Sequence, residues 1–440
     1  MSLLDRVENA RGSLDDAPDT GKAVRESLKD ALFAEMSSEK IASLASDDIE
    51  RASREVRGAL DMALRGGEFR GMDADSKMKV SGEVLDLVLG LGPLQPLMDD
   101  PEVTEVMVNG PFDVFYEKEG RLYRSGIHFD DVGQMRTVID RILGPVGRRV
   151  DELSPMVSAR LPGGHRANIV VHPIALDGPY ITIRKFGRKM FTLDEMVARK
   201  TLDAQLATML RWAVRCRKNI AVSGGTGSGK TTFLNALSGE ISPDERIVTI
   251  EDSAELRFDS HPHVVRLESR PRNTEGKGEV SIRDLVTNAL RMRPDRIVVG
   301  ECRGPEALDM LQAMNTGHDG SLTTLHANST REVAGRLITM VRFGMNISKD
   351  VVEDQIASAL DIVVHLQRCA DGSRKVVEVS ECGRGRNGGV ELVPCTRWDE
   401  SAGSYTWSCP GWLDDLAPHG AVPVEEVETW KSRLLLEQPA

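Results

Sequence analysis

The sequence predicts an α/β protein in which a parallel sheet, covered by helices on both faces, follows a smaller α+β block and an amphipathic helical arm. Three observations carry that expectation. Strand-like and helix-like segments alternate from about residue 200 to 370. The strand segments include unbroken β-branched runs such as Ile297-Val298-Val299, typical of strands buried on both faces. Near Val80 the texture changes from polar and helical to mixed apolar helix and strand.

Taken in order, residues 1–75 are rich in Ala, Ser, Asp and Arg. The stretch SSEKIASLASDDIERASREVRGALDMAL places Ile41, Leu44, Ile49 and Leu60 at loose helical spacing, which predicts an arm over 1–78 with a glycine-broken linker around Arg65 to Asp75. From Val80, EVLDLVLGLGPLQPLM predicts an apolar helix stopped by Gly and Pro. TEVMVNG and FDVFYEKEGRLYR then predict strands joined by turns, and ITIRKF at Ile181–Phe186 closes an α+β domain over 79–190. Over 191–390 the strands KNIAVS, RIVTIE, DRIVVGE and SLTTLH alternate with the helices KTTFLNALSG, SIRDLVTNALRM and GPEALDMLQAMN. Ser329-Thr-Arg-Glu predicts a capping box at the start of the next helix.

The chain has 440 residues, enough for two or three domains at roughly 100–200 residues each. With 40% hydrophobic and 28% charged residues, a wholly disordered, collagenous or membrane-embedded chain is excluded. No window nears the roughly 18 to 20 apolar residues of a membrane span, and the first residues lack a signal-peptide pattern, so a cytoplasmic protein is expected. Six cysteines without a CxxC pair predict reduced thiols rather than a disulfide scaffold or zinc ribbon. The net charge of −12 argues against a general nucleic-acid binder. Half of that charge, nine acids against three bases, falls in 391–440 together with Trp398, Trp407, Trp412 and Trp430, four of the five tryptophans. This composition predicts a separate acidic, Trp-rich tail that docks or packs outside the catalytic machinery.

The chemistry concentrates in a few segments. Gly224, Gly225, Thr226, Gly227, Ser228, Gly229, Lys230 and Thr231 form a complete GxxxxGK[ST], with Thr232 following, between a predicted strand and helix. Such glycines let backbone amides face phosphate oxygens, the helix adds its positive end, the lysine reaches the outer phosphates, and the Thr231 hydroxyl suits Mg²⁺. Hydrolysis also needs an acid near the metal and a group that orients water. Candidates emerge at two strand ends, Glu251, Asp252 and Glu255 in one and Glu301, Arg303 and Glu306 in the other. TGHDGSLTTLHAN puts His318 and His326 around a third strand, where they would sense the terminal phosphate or carry its state to a neighbouring subunit; ligand spacing for a metal and an elbow motif for a serine triad are both missing. Arg160, Arg166 and Arg184 are the arginines expected to neutralise developing charge, and a further cluster runs from Arg266 to Arg296 with Arg291 and Arg293.

Together these segments resemble the type II/type IV secretion traffic ATPase superfamily, most closely its CpaF-like branch associated with tight-adherence pili. The resemblance runs from GLGPLQPLMDDPEVTEVMVNGP at Gly90 to LITMVRFGMN near Asn346, with GGTGSGKT as Walker A, TIEDSAEL as Asp box, IVVGECRG as Walker B and TGHDGSLTTLHANS as His box. It implies a PAS-like N-terminal domain and a RecA-like domain that sandwich ATP. It also implies a homo-hexameric ring at the inner face of the cell membrane, driving platform proteins of a pilus or secretion system, with nucleic acid not among the partners. On this reading Lys230 and Thr231 hold phosphates and Mg²⁺, Glu301 positions the metal or its water, and Arg184 with Arg160 stabilises transition-state charge. The general base stays open between Glu301 and the Asp-box residues Glu251 and Glu255. Two rivals are a RecA-like nucleic-acid motor, discriminated by stimulation with single-stranded DNA, and a nucleotide-gated scaffold that binds ATP without turnover. The tail from about Cys382 matches no motif of the family.

Overall fold

The structure, a computed structural model, describes residues 20–118, 120–161, 163–186, 191–258, 261–272, 277–386, 388–416 and 422–437. The first 19 residues of the expected arm lie outside these. The chain divides into two compact units, residues 1–187 and 188–440.

In the first unit the long polar stretch is two helices, Ser38–Asp47 and Ile49–Ala63. Asp48 leaves the helical region, at φ −155° and ψ 103°, and its carboxylate accepts the Arg51 amide at 3.0 Å, so one residue ends a helix and caps the next. These helices, with Thr20–Glu35 and Ala74–Val88, bury Leu28, Leu32, Ile41, Val56, Leu60, Val80 and Val84 in one cluster. Two expectations are corrected. Ile49 is exposed at the helix start. The helix expected over EVLDLVLG, from Glu83, starts at Ala74, inside the supposed linker and across the boundary at 78, because Asp73 caps it through the Ser76 amide at 2.9 Å.

Six antiparallel strands follow: β1 Val103–Asn109, β2 Val114–Lys118, β3 Arg121–Arg124, β4 Met156–Arg160, β5 Arg166–Val170 and β6 Tyr180–Arg184, in the order β3-β2-β1-β6-β5-β4. The helix Val132–Leu143 buries Met135, Val138, Ile139 and Ile142, spaced three and four apart, in the core formed with Val106, Val108, Ile169, Ile181 and Ile183.

The second unit is built on nine strands: β7 Ile220–Gly224, β8 Ile247–Glu251, β9 Val264–Glu268, β10 Arg296–Cys302, β11 Leu322–Leu325, β12 Ile362–Arg368, β13 Arg374–Arg384, β14 Val390–Asp399 and β15 Ser404–Trp407. Their order is β15-β14-β13-β12-β7-β11-β10-β8-β9, parallel from β12 to β9 and antiparallel from β12 to β15. The expected parallel sheet covered on both faces is present. Alternation explains how each strand serves two cores: Ile220 and Val222 join a cluster with the helices Ala204–Arg215 and Lys230–Ser238, while Ala221 joins another with Glu306–Asn315 and Thr330–Gly344.

The tail is not a separate element. β14 and β15 extend the sheet, and Trp412 and Trp430 are buried in the same cluster as Val222, with Trp398 and Trp407 packed against it. Trp430 Nε1 donates to the Gln205 carbonyl at 3.2 Å, which gives the buried indole its polar partner. The tryptophans concentrate there because these residues close an apolar face of the sheet. At the helix Thr330–Gly344 only half of the expected capping box forms: Ser329 Oγ accepts the Glu332 amide at 3.4 Å, but Glu332 accepts the Asn328 amide instead, at 3.1 Å.

Candidate functional site

β7 lies between β11 and β12, so the chain leaving it can turn to either side, and this switch point opens a crevice at the carboxyl ends of the strands. The glycine loop emerges there. Gly224 has φ 154°, and a Cβ on it would lie 2.4 Å from the Leu366 carbonyl oxygen and 2.6 Å from Ser228 Oγ, so the adjacent strand and the loop itself leave room only for glycine. Gly229, in the left-handed region at φ 91°, starts the helix that carries Lys230, Thr231 and Thr232. Gly225, Thr226 and Gly227 are open to solvent, while Ser228 is buried and donates to the Gly225 carbonyl at 2.9 Å.

Lys230 is buried, and its Nζ donates to the carbonyls of Gly224 at 3.0 Å and Gly225 at 2.9 Å. The same Nζ lies 3.5 Å from His326 Nδ1, and His326 Nε2 lies 3.2 Å from Glu301 Oε1. Lys230 on the helix that follows β7 and its loop, His326 just after β11 and Glu301 near the end of β10 thus meet at one edge. Glu301 Oε1 is enclosed and accepts no aligned hydrogen bond, while Oε2 accepts from Arg303 Nη2 at 2.7 Å. Burial would raise the Glu301 carboxyl, but Arg303, with His326 and Lys230 beyond, overcomes it and holds the group below its usual range. Burial and Lys230 together outweigh Glu301 and depress His326, leaving a neutral ring. A cavity of about 320 Å³, lined by Asp252, Ile282, Glu301, Arg303 and Glu306, opens beside this carboxylate.

The remaining candidates separate. Glu251 is buried; its Oε1 accepts the amides of Glu255 at 2.8 Å and Leu256 at 2.9 Å, and Oε2 is enclosed without a partner. Burial raises this carboxyl to about 7 against the pull of those amides. Glu255 is half-buried one turn on. Glu306 Oε1 accepts the amides of Arg303 and Gly304 at 2.7 and 2.8 Å, fixing the turn before its own helix. His318 sits before β11 and His326 after it, so they stand at opposite ends of a four-residue strand. His318 Nδ1 lies 3.3 Å from the Ala313 carbonyl, at the end of the helix Glu306–Asn315, away from the glycine loop. Of the 266–296 arginines, Arg296 is wholly buried, paired with Glu245.

In the first unit the register sets Arg160 opposite Arg166 and Arg166 opposite Arg184. Directly opposed residues share a face, and the adjoining Ala159, Ala167 and Ile183 are buried, so the three arginines form a row on the outer face. Glu105, opposite Arg184, ends the row with an acid.

Two cations beside the loop escape a reading of motifs. Arg368 and Arg374 face each other across β12 and β13, and Arg374 Nε lies 3.4 Å from the Gly227 carbonyl. No motif marks them; only recognising DIVVHLQR as the strand beside β7 would have put its last residue next to the loop.

Residues 88–400 match the family described as type II/IV secretion system protein. A Mycobacterium tuberculosis protein, provisionally named for conjugal transfer, is 38% identical over 76% of this chain and 95% of its own length. The type IV secretion system protein PtlH of Bordetella pertussis is 38% identical over 66% of this chain and 93% of its own. Among solved structures, the VirB11 ATPase from the Brucella suis type IV secretion system, in complex with sulphate, is 32% identical, covering 65% of this chain and 94% of that one at a TM-score of 0.36.

Proposed function

This chain belongs to the type II/IV secretion system protein family, and from that premise we propose that it is a Mg²⁺-dependent ATPase working as a mechanical motor. The proposal includes a homo-hexamer at the inner face of the cell membrane, acting on platform proteins of a pilus or secretion system, with the tight-adherence branch as the nearest kind. The observation that carries it is the convergence of Lys230, His326 and Glu301, at 3.5 and 3.2 Å, on the carboxyl edge of a parallel sheet headed by the glycine loop.

Mg²⁺ keeps several waters and asks a protein for only one or two oxygen ligands. The Thr231 hydroxyl and the Glu301 carboxylate fit that demand, and the enclosed Glu301 Oε1 without an aligned donor supports it. When bound, the metal would neutralise phosphate charge. Lys230 holds two neutral carbonyls and would exchange them for phosphate oxygens, a stronger charge-assisted bond. Glu251 has one oxygen committed to turn amides and the other enclosed, which favours Glu255 for orienting the attacking water. The row Arg160, Arg166 and Arg184 would supply positive charge to the transferred phosphoryl group, a role supported by the register that aligns the three guanidinium-bearing residues on one face.

ATP turnover by the purified chain, with Mg²⁺ and with chelator, tests the reading. Lys230→Ala and Glu301→Gln are each expected to lose on the order of 10²-fold or more. Turnover at the unaltered rate in either variant would overturn the assigned roles.

A further inference from the structure

We infer that Arg368 and Arg374 form a second cationic arm of the nucleotide site, contacting the part of the nucleotide that ADP and ATP share. This rests on the nucleotide-site reading above and extends it to the opposite side of the loop.

The sheet order gives the loop two flanks. On the β11 and β10 flank stand His326 and Glu301, toward which Lys230 extends. A P-loop lysine reaches the outer phosphates and the metal lies with them, so the terminal phosphate belongs on that flank. The inner phosphate and ribose then leave the loop toward the other flank, formed by β12 and β13.

That flank ends in two arginines. Arg368 is the last residue of β12, Arg374 the first of β13, and they are directly paired across a turn closed by the Cys369 amide on the Ser373 carbonyl at 2.8 Å. Arg374 Nη1 donates to the Gly372 carbonyl at 3.3 Å, which ties the side chain to this turn, while its Nε reaches Gly227 in the loop at 3.4 Å. A Cβ on Gly227 would lie 3.8 Å from Arg368 Nη1, and one on Gly229 would lie 3.6 Å from Arg374 Cγ. Both side chains therefore rest against the loop that the fold uses to hold phosphate. Guanidinium groups supply forked donors suited to phosphate oxygens.

The test is calorimetric titration of the full chain with ADP and with a non-hydrolysable ATP analogue, for Arg374→Ala, Arg368→Glu and the control Arg384→Ala. Arg384 pairs with Asp354 at 2.8 Å on the same unit, away from the loop. Contact with the shared part of the nucleotide predicts that both arginine variants weaken ADP and the analogue alike, on the order of ten-fold each, while the control binds as the unaltered chain. Arg374→Lys, which keeps the charge but not the fork, should recover part of the loss. Arg368 is exposed, so Arg368→Glu carries the test even if Arg374→Ala fails to fold. Unchanged ADP affinity in Arg368→Glu, or a loss confined to the ATP analogue, would overturn the inference. An unaltered chain that binds neither nucleotide would sink the nucleotide-site reading first, and this inference with it.

Discussion

The Trp430 indole meets that of Trp212 edge to face, with ring centroids 6.0 Å apart, joining the last helix of the chain to the helix that precedes the glycine loop. Trp430 also meets Trp407 edge to face, at 5.4 Å. Trp430→Ala is therefore expected to cost about 3 to 5 kcal/mol in urea unfolding of this unit. Ending the chain before β14 exposes the edge of β13 and one face of the core, so nucleotide affinity should be lost together with the unit's cooperative unfolding transition. A truncated chain that unfolds with an unchanged midpoint would show that the tryptophans contribute nothing.

Glu251 predicts a pH dependence. Burial raises its carboxyl from the ordinary 4.5 to about 7, so the folded state holds a proton that the unfolded state has released. The stability from this group is fully present below pH 4.5 and is lost as pH rises through about 7. Its size is at most about 3 kcal/mol. Glu251→Gln keeps an acceptor for the two amides and cannot ionise. The difference between the two unfolding curves should therefore change between about pH 5 and 8. Parallel curves across that range would remove the buried acid from the account.

The arginine row predicts a loss of activity with little change in stability. Arg166 is opposed by Arg160 on one side and Arg184 on the other. Arg166→Ala should change the stability of the fold by no more than about 1 kcal/mol, while ATP turnover falls. Equal turnover with equal stability would make the row a solvated surface and nothing more.

Arg296 occupies the space a side chain at position 320 would need. Its Nε and Nη2 donate to Glu245 at 2.7 and 3.0 Å, its Nη1 to the Gly320 carbonyl at 3.0 Å, and a Cβ on Gly320 would lie 1.5 Å from Nη1. Gly317, three residues earlier and also at positive φ, has nothing near its missing Cβ. Gly320→Ala is expected to cost about 3 kcal/mol or more by displacing a buried ion pair, against about 1 to 2 kcal/mol for Gly317→Ala, measured by chemical denaturation. Similar losses at both positions would mean that the guanidinium yields without penalty.

Much of the fold was legible in the residues because it is written locally. The glycines and lysine of 224–231 sit between a strand and a helix in sequence as in space, and the β-branched runs gave the parallel strands. The arm was less legible: Asp48 and Asp73 each start a helix by capping, a signal that loose apolar spacing and glycines obscured. The tail misled because tryptophans and acids resemble a separate element until the sheet is seen to continue into β14 and β15.

By itself the sequence determined that this protein carries a phosphate loop with acids at the ends of neighbouring strands. Only the tertiary structure decided which of them meet. It set His326 beside Lys230 and sent His318 to the far end of β11, enclosed Glu251, and aligned both Arg160, Arg166 and Arg184 and the pair Arg368 and Arg374. The physical reason is that strand order and register join residues distant in the chain, 96 positions apart for Lys230 and His326, and a shift of one residue in a strand would turn its side chains, the arginines among them, to the opposite face.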